Sequence, residues 1–192
     1  MSSCKRGTER NANDYYVTPH WLIREFLPEL IFDHNLKPES MDVYDPACGG
    51  CELYEASYPK VLEEFGFEHV FTSDIRLDAR TEHIAIDFLE LPVLEIHDLV
   101  ITNPPFNCSV EFTERALQNT VNGGLVVMLQ RLNWLGTKKR KAFWDNAPLK
   151  HIYVHHKRPG FDPAKPNKTD SIEYAHFVFQ KGFVGQPTLS II

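Results

Sequence analysis

The chain has 192 residues, 43% of them hydrophobic and 24% charged, with a formal net charge of −6. That length fills one core and is too short for two domains of ordinary size, so a single domain over residues 1–192 is expected, and the composition excludes a disordered chain. No apolar run approaches the roughly 20 residues that span a bilayer, and MSSCKRGTER lacks the apolar core of a signal peptide, so a cytoplasmic protein with no membrane partner is expected.

In TPHWLIREFLPEL, Thr18 reads as an N-cap and Pro19 as the first helical position. Leu22, Ile23, Phe26 and Leu30 follow at helical spacing, and the helix should end near Pro28 or Leu30. MDVYDPA then reads as a strand, CELYEASYPKVLEEFG as a helix interrupted by Pro59, and HVFTSDI and HIAIDFL as two further strands. HDLVITNPPF is a strand ending in a proline turn, SVEFTERALQNT a helix capped by Ser109, and GGLVVMLQ a buried strand. The last elements are a helix, TKKRKAFWDNA, and two strands, HIYVHH and IEYAHFVFQKG, separated by a Pro-rich polar loop over 157–171.

Strands alternating with helices predict an α/β fold: a mainly parallel, Rossmann-like seven-stranded sheet with helices on both faces. The last two strands, joined without a helix, should form an antiparallel hairpin at one edge. Cys4, Cys48, Cys51 and Cys108 form an irregular set, so reduced thiols are expected. The Cys48–Cys51 pair has no second pair to complete a zinc site, so no metal is expected.

Charge is divided unevenly. Residues 1–100 carry 8 Lys and Arg against 20 Asp and Glu, and residues 101–192 carry 12 against 6. An acidic and a basic half suggest two ligands, one cationic or sugar-rich and one polyanionic.

In such sheets ligands bind beyond the carboxyl ends of the strands. The first strand runs into Asp45-Pro46-Ala47-Cys48-Gly49-Gly50-Cys51, whose glycines let backbone approach a ligand closely. The second ends in Asp74-Ile75, and a carboxylate there commonly accepts both hydroxyls of a ribose, which suits a nucleoside cofactor. The third ends in Asp87-Phe88, an acceptor for an adenine amino group and a ring to lie on the base. The fourth ends in Asn103-Pro104-Pro105-Phe106.

An NPPF segment directly after an apolar strand closely resembles the catalytic motif of S-adenosylmethionine-dependent amino-group methyltransferases. The planar amino group is a poor nucleophile because its lone pair is delocalised into the ring. By the resemblance, the Asn103 side-chain oxygen and the Pro104 carbonyl hold its two hydrogens while the nitrogen pyramidalises, the prolines stiffen the turn, and Phe106 stacks on the acceptor. Tyr15-Tyr16-Val17-Thr18-Pro19 is similar to the segment that closes over the methionine part of the cofactor in DNA adenine methyltransferases, which implies that Tyr15, Thr18 and Pro19 line its pocket. The similarity spans residues 13 to about 180 and looks closest to compact bacteriophage-type enzymes. It departs at Cys51, where the family usually has the second glycine of Gly-x-Gly.

The resemblance implies S-adenosyl-L-methionine bound by Tyr15, Thr18, Pro19, Asp45, Pro46, Ala47, Cys48, Gly49, Asp74, Ile75, Asp87, Phe88 and Asn103. It also implies transfer to N6 of an adenine flipped out of DNA. Arg131 and Asn133 lie near enough to the end of the fifth strand to face the nucleic-acid acceptor, and the run Lys138, Lys139, Arg140, Lys141 suits its phosphate backbone. No separate target-recognition domain is evident, so sequence readout would fall to the 157–171 loop and the 137–146 helix. RNA adenine or protein glutamine as acceptor, and a cofactor-binding module without catalysis, remain alternatives.

Overall fold

The computed structural model describes residues 16–165 and 168–192. Helix α1 (His20–His34) buries Leu22, Ile23, Phe26, Leu27 and Leu30 on one face. It runs past the expected stop at Pro28, because that proline lies on the exposed face, where the carbonyl its ring leaves unpaired can be hydrated. Asn35 ends it in the left-handed conformation, with Leu36 N–H closing onto Ile31 O at 3.0 Å. Pro19, and not Thr18, is the N-cap, and no side chain caps this end.

Strands β1 (Asp42–Asp45), β2 (His69–Thr72), β3 (His97–Thr102) and β4 (Thr120–Arg131) run parallel, with α2 (Ser57–Glu64) and α3 (Ser109–Asn119) in the crossovers. Helix α4 (Lys141–Asn146) leads to β5 (Leu149–Val154), β6 (Tyr174–Gln180) and β7 (Thr188–Ile191). All seven strands join one sheet in the order β2-β1-β3-β4-β6-β5-β7. Alternate residues of the central strands enter two cores. Leu99, Ile101, Val127 and Leu129 pack with α1 and α2, while Val100, Val126 and Met128 pack with Phe112 and Ala116 of α3.

Four further sequence expectations are corrected. HIAIDFL is not a strand: Asp74 N–H bonds to His83 O and Ile86 N–H to Asp74 O, but Ala85 between them is left-handed (φ 56°), and the ladder stops there. The seventh strand is instead β7, which pairs parallel to β5, so the β5–β6 hairpin lies one strand in from the edge. Residues 137–146 do not form one helix. Thr137 is extended, Lys138–Arg140 make a single 3-10 turn, and α-helix begins at Lys141. Ser109 is the first residue of α3 rather than its cap, and its Oγ donates back to Phe106 O at 3.1 Å.

From β1 the chain adds β2 on one side and β3 on the other, so the strand order reverses between β1 and β3. The turns after these two strands therefore face each other across a crevice, which is where doubly wound sheets hold ligands.

Candidate active site

A cavity of about 690 Å³ opens at that reversal. Its walls come from residues 16–18, the turn after β1, the ends of β2 and of the irregular segment before β3, the NPPF turn, and Arg131 at the end of β4. The volume suits a nucleoside-sized ligand with room for a second ring.

Gly49 (φ 69°) and Gly50 (φ 73°) are both left-handed, and a Cβ at Gly50 would sit 2.6 Å from Arg80 Cβ and 2.9 Å from Ala56 N. Consecutive left-handed residues turn the carbonyls of this loop outward, and arginines collect them. Arg76 Nη1 donates to Gly50 O (3.3 Å), and Arg80 Nε and Nη2 donate to Cys51 O (2.7 Å) and Glu52 O (2.9 Å). Neither clamp carries a sequence motif, so sequence reasoning does not find them. Cys51, at the departure from Gly-x-Gly, closes a turn with Tyr54 and is not among the described residues that line the cavity.

Asp74 is buried at the cavity wall. Its Oδ2 accepts the Gly49 N–H at 2.8 Å and its Oδ1 the Arg76 N–H at 2.8 Å. One lone pair on each oxygen is still available to a pair of vicinal hydroxyls. Asp45 lies beneath the loop, fully buried and behind the cavity wall. Its Oδ1 accepts Ala47 N–H at 3.2 Å, while Oδ2 and the neighbouring Thr102 hydroxyl lack hydrogen-bonding geometry. Burial pushes its carboxyl up to about 7, a rise that the Ala47 N–H opposes and nearby Asp74 reinforces. Asp87 Oδ1 accepts Leu89 N–H (2.9 Å). Phe88 touches the cavity, but most of its ring packs edge-on against Tyr44 and beside Phe112 in the core.

In the NPPF turn, Asn103 lies on the wall and its Nδ2 donates to the buried Thr18 hydroxyl at 3.0 Å. With the amide nitrogen held there, the side-chain oxygen is the group left to accept from a ligand. Pro105 O accepts Cys108 N–H at 3.1 Å, which pins the turn to the start of α3. Phe106 and Pro105 line the cavity, whereas Pro104 is buried behind them. Arg131 holds its guanidinium 5.1 Å from the centroid of the Phe106 ring.

Of the expected cofactor residues, Thr18, Pro46, Ala47, Cys48, Gly49, Asp74, Ile75, Asp87, Phe88 and Asn103 converge on this cavity. Pro19 and Asp45 do not reach its surface, and Tyr15 lies outside the described residues. The basic run divides. Arg140 is used internally, donating to Trp134 O (2.7 Å) and to the carbonyls of Asn133 and Gly136 (3.3 Å each), and Lys141 pairs with Asp145 one turn on. Lys138, Lys139 and Asn133 are exposed and do not line the cavity. Among the described residues no three His, Cys, Asp or Glu side chains form a metal-binding group, and no helix is long and apolar enough to cross a membrane.

Behind the cavity, Tyr58 Oη, His176 and His155 form a buried hydrogen-bonded series at 2.8 Å spacings. Burial lowers His155 and His34 to about 4 and holds His176 well below the ordinary imidazole range. All three stay neutral in the folded chain while unfolded histidine protonates near pH 6.5. Their stabilisation is therefore complete above pH 6.5 and is lost as pH falls toward 4, by at most about 1.4 kcal/mol per histidine per pH unit. Asp45 works oppositely: its contribution is full below the ordinary carboxylate range and is lost as pH rises through about 7. Three histidines outweigh one aspartate, so melting temperature should fall between pH 6.5 and 4.5. A flat or rising profile would show that the histidines are not buried neutral.

No family model matches the sequence, and no curated protein matches it. Solved structures do share the fold. One is a protein from Listeria monocytogenes provisionally described as a class I S-adenosylmethionine-dependent methyltransferase (TM-score 0.62, 17% identity), matched over 92% of this chain and 65% of that one. Another is the type IIG restriction endonuclease BpuSI (TM-score 0.63, 16% identity; 92% of this chain, 27% of that one). A third is the M protein of the type I restriction enzyme EcoKI (TM-score 0.56, 19% identity; 92% and 48%). The chain thus spans just under two thirds of the first and less than half of the others. It has the class I methyltransferase fold.

Proposed function

We propose that this chain is an S-adenosylmethionine-dependent methyltransferase acting on the N6 amino group of adenine in DNA. The observation that carries the reading is Asn103, whose amide nitrogen is tied to Thr18 on the wall of the cavity that also holds the Gly49–Gly50 turn and Asp74. The names of two fold neighbours, a restriction endonuclease and a restriction-enzyme M protein, support nucleic acid as the acceptor.

The residues present fit the cofactor. Gly49 and Gly50 line the cavity with no side chain to fill it, and Asp74 keeps two lone pairs for ribose hydroxyls. When bound, S-adenosylmethionine supplies an electrophilic methyl on a positively charged sulfur. The chain then has to position the acceptor. Asn103 Oδ1 accepts one N–H of the amino group, drawing that hydrogen to one side so that the nitrogen lone pair is freed on the other, whereas Pro104, whose carbonyl the sequence resemblance gives the second hydrogen, lies behind the cavity lining. Transfer leaves the nitrogen positively charged, and it returns to neutrality by losing one of its hydrogens as a proton to solvent. Phe106 stacks on the ring, which must first leave the duplex at a cost of a few kcal/mol.

Duplex binding falls to the basic half. With Arg140 and Lys141 engaged internally, Lys138 and Lys139 are the members of the run offered to phosphate. Replacing both with Gln should weaken binding on all sequences alike and reduce the salt dependence by roughly 0.9 for each phosphate no longer neutralised, with cofactor affinity unchanged. An unaltered salt slope would reduce the pair to a solvated turn. Arg140→Gln should instead lower the melting temperature.

The reading is tested by methyl transfer from labelled cofactor to duplex DNA, single-stranded DNA, RNA and total protein in parallel. Labelling of duplex DNA is expected. Labelling confined to RNA or to protein would move the acceptor, and cofactor binding with no labelling at all would leave a binding module.

A further inference from the structure

Sequence position alone sets Arg131 near enough to the strand end to face the acceptor, and the geometry narrows that to one contact. We propose that Arg131 is a positioning residue of the acceptor site, holding the Phe106 ring against which the acceptor base stacks. The inference rests on the methyltransferase reading above and adds to it a residue that acts on the acceptor through Phe106.

Three observations carry it. The guanidinium carbon of Arg131 lies 5.1 Å from the Phe106 centroid, within the range of a cation–π contact and too near for a second ring to enter between them. Arg131 Nε donates to Tyr174 Oη at 3.2 Å, and that hydroxyl donates in turn to Asp170 Oδ2 at 2.7 Å. Tyr174 is 1% exposed and stands opposite Arg131 in the β4–β6 register, so the phenol that anchors the arginine is itself fixed by the sheet. Phe106 also meets the Tyr174 ring, with centroids 6.2 Å apart.

An arginine that grips phosphate must turn its planar fork outward to two oxygens. Here the fork covers one face of an aromatic ring and its Nε is committed to a buried hydroxyl. Asp170 and Phe161, whose ring lies 4.9 Å from that of Tyr174, belong to the 157–171 loop. The anchoring series thus also joins the acceptor ring to that loop.

The role separates from phosphate binding in kinetics. If Arg131 positions Phe106, Arg131→Met should lower single-turnover methylation of duplex DNA at least tenfold at saturating DNA, with DNA affinity and its salt dependence unchanged. Arg131→Lys, which keeps a cation near the ring but loses the Tyr174 bond, should recover part of the rate. Tyr174→Phe should lower the rate several-fold, and adding it to Arg131→Met should cost nothing further, because both changes break one series. Calorimetric cofactor affinity checks that each variant is folded. Should Arg131→Met not fold, Arg131→Lys and Tyr174→Phe carry the same contrast. A salt slope flattened by roughly 0.9 with the saturated rate intact would overturn the proposal in favour of phosphate binding. Multiplicative losses in the double variant would overturn it too. A parent chain that methylates no nucleic acid would overturn the functional reading itself, and this inference with it.

Discussion

Asn103→Ala should lower single-turnover methyl transfer by at least ~100-fold while leaving fold and cofactor affinity nearly unchanged, the scale found for loss of one preorganised polar group. The reason lies in timing. An acceptor that strengthens its hold as the amine pyramidalises stabilises the transition state more than the bound substrate, and that difference raises turnover. Thr18 makes the effect specific to one atom, because its hydroxyl already takes the Asn103 Nδ2 at 3.0 Å and so sets which side of the amide faces the acceptor. Asn103→Asp should be milder, since the Thr18 hydroxyl can reverse and donate to a carboxylate while an oxygen remains at the acceptor position. Rapid-quench kinetics beside calorimetric cofactor titration measures both quantities, and undiminished transfer by Asn103→Ala would remove the NPPF turn from catalysis.

Asp74→Ala should weaken S-adenosylmethionine binding at least tenfold. Two hydrogen bonds from ribose hydroxyls to a charged acceptor would be lost, at roughly 1.5–3 kcal/mol each before compensation by water. A second effect adds to this, because the same carboxylate takes the N–H groups of Gly49 and Arg76 and so holds the glycine turn against β2. The variant should therefore also melt at lower temperature. Asp74→Asn, which keeps one acceptor oxygen, should fall between the two. Titration calorimetry showing unchanged affinity in Asp74→Ala would remove the ribose assignment.

Much of this architecture is legible in the residues, and the exceptions have local causes. Helical spacing in α1 and the continuous apolar runs of β3 and β4 reveal the layers, because burial on both faces leaves a plain pattern. The alternation in HIAID looks equally strand-like, but one left-handed residue, Ala85, ends the ladder after two bonds, and no side-chain pattern announces a backbone angle. Strand β7 escapes notice because TLSI is short and three of its four residues are exposed at the sheet edge. At the site, residues on turns directly after strands are readable from position. Arg76 and Arg80 are not, since their partners are carbonyls turned outward by two glycines. The same blindness misassigns Arg140: four consecutive cations look like a phosphate grip until three backbone carbonyls are seen to occupy one of them.

The central claim concerns an exocyclic amino group, so the most direct measurement removes only that group. Two otherwise identical duplexes, one with adenine and one with purine at every adenine position, would be incubated with the chain and labelled S-adenosylmethionine. The account predicts label in the adenine duplex and none above background in the purine duplex, with the products carrying N6-methyladenine on nucleoside analysis. Equal labelling of both duplexes would contradict it.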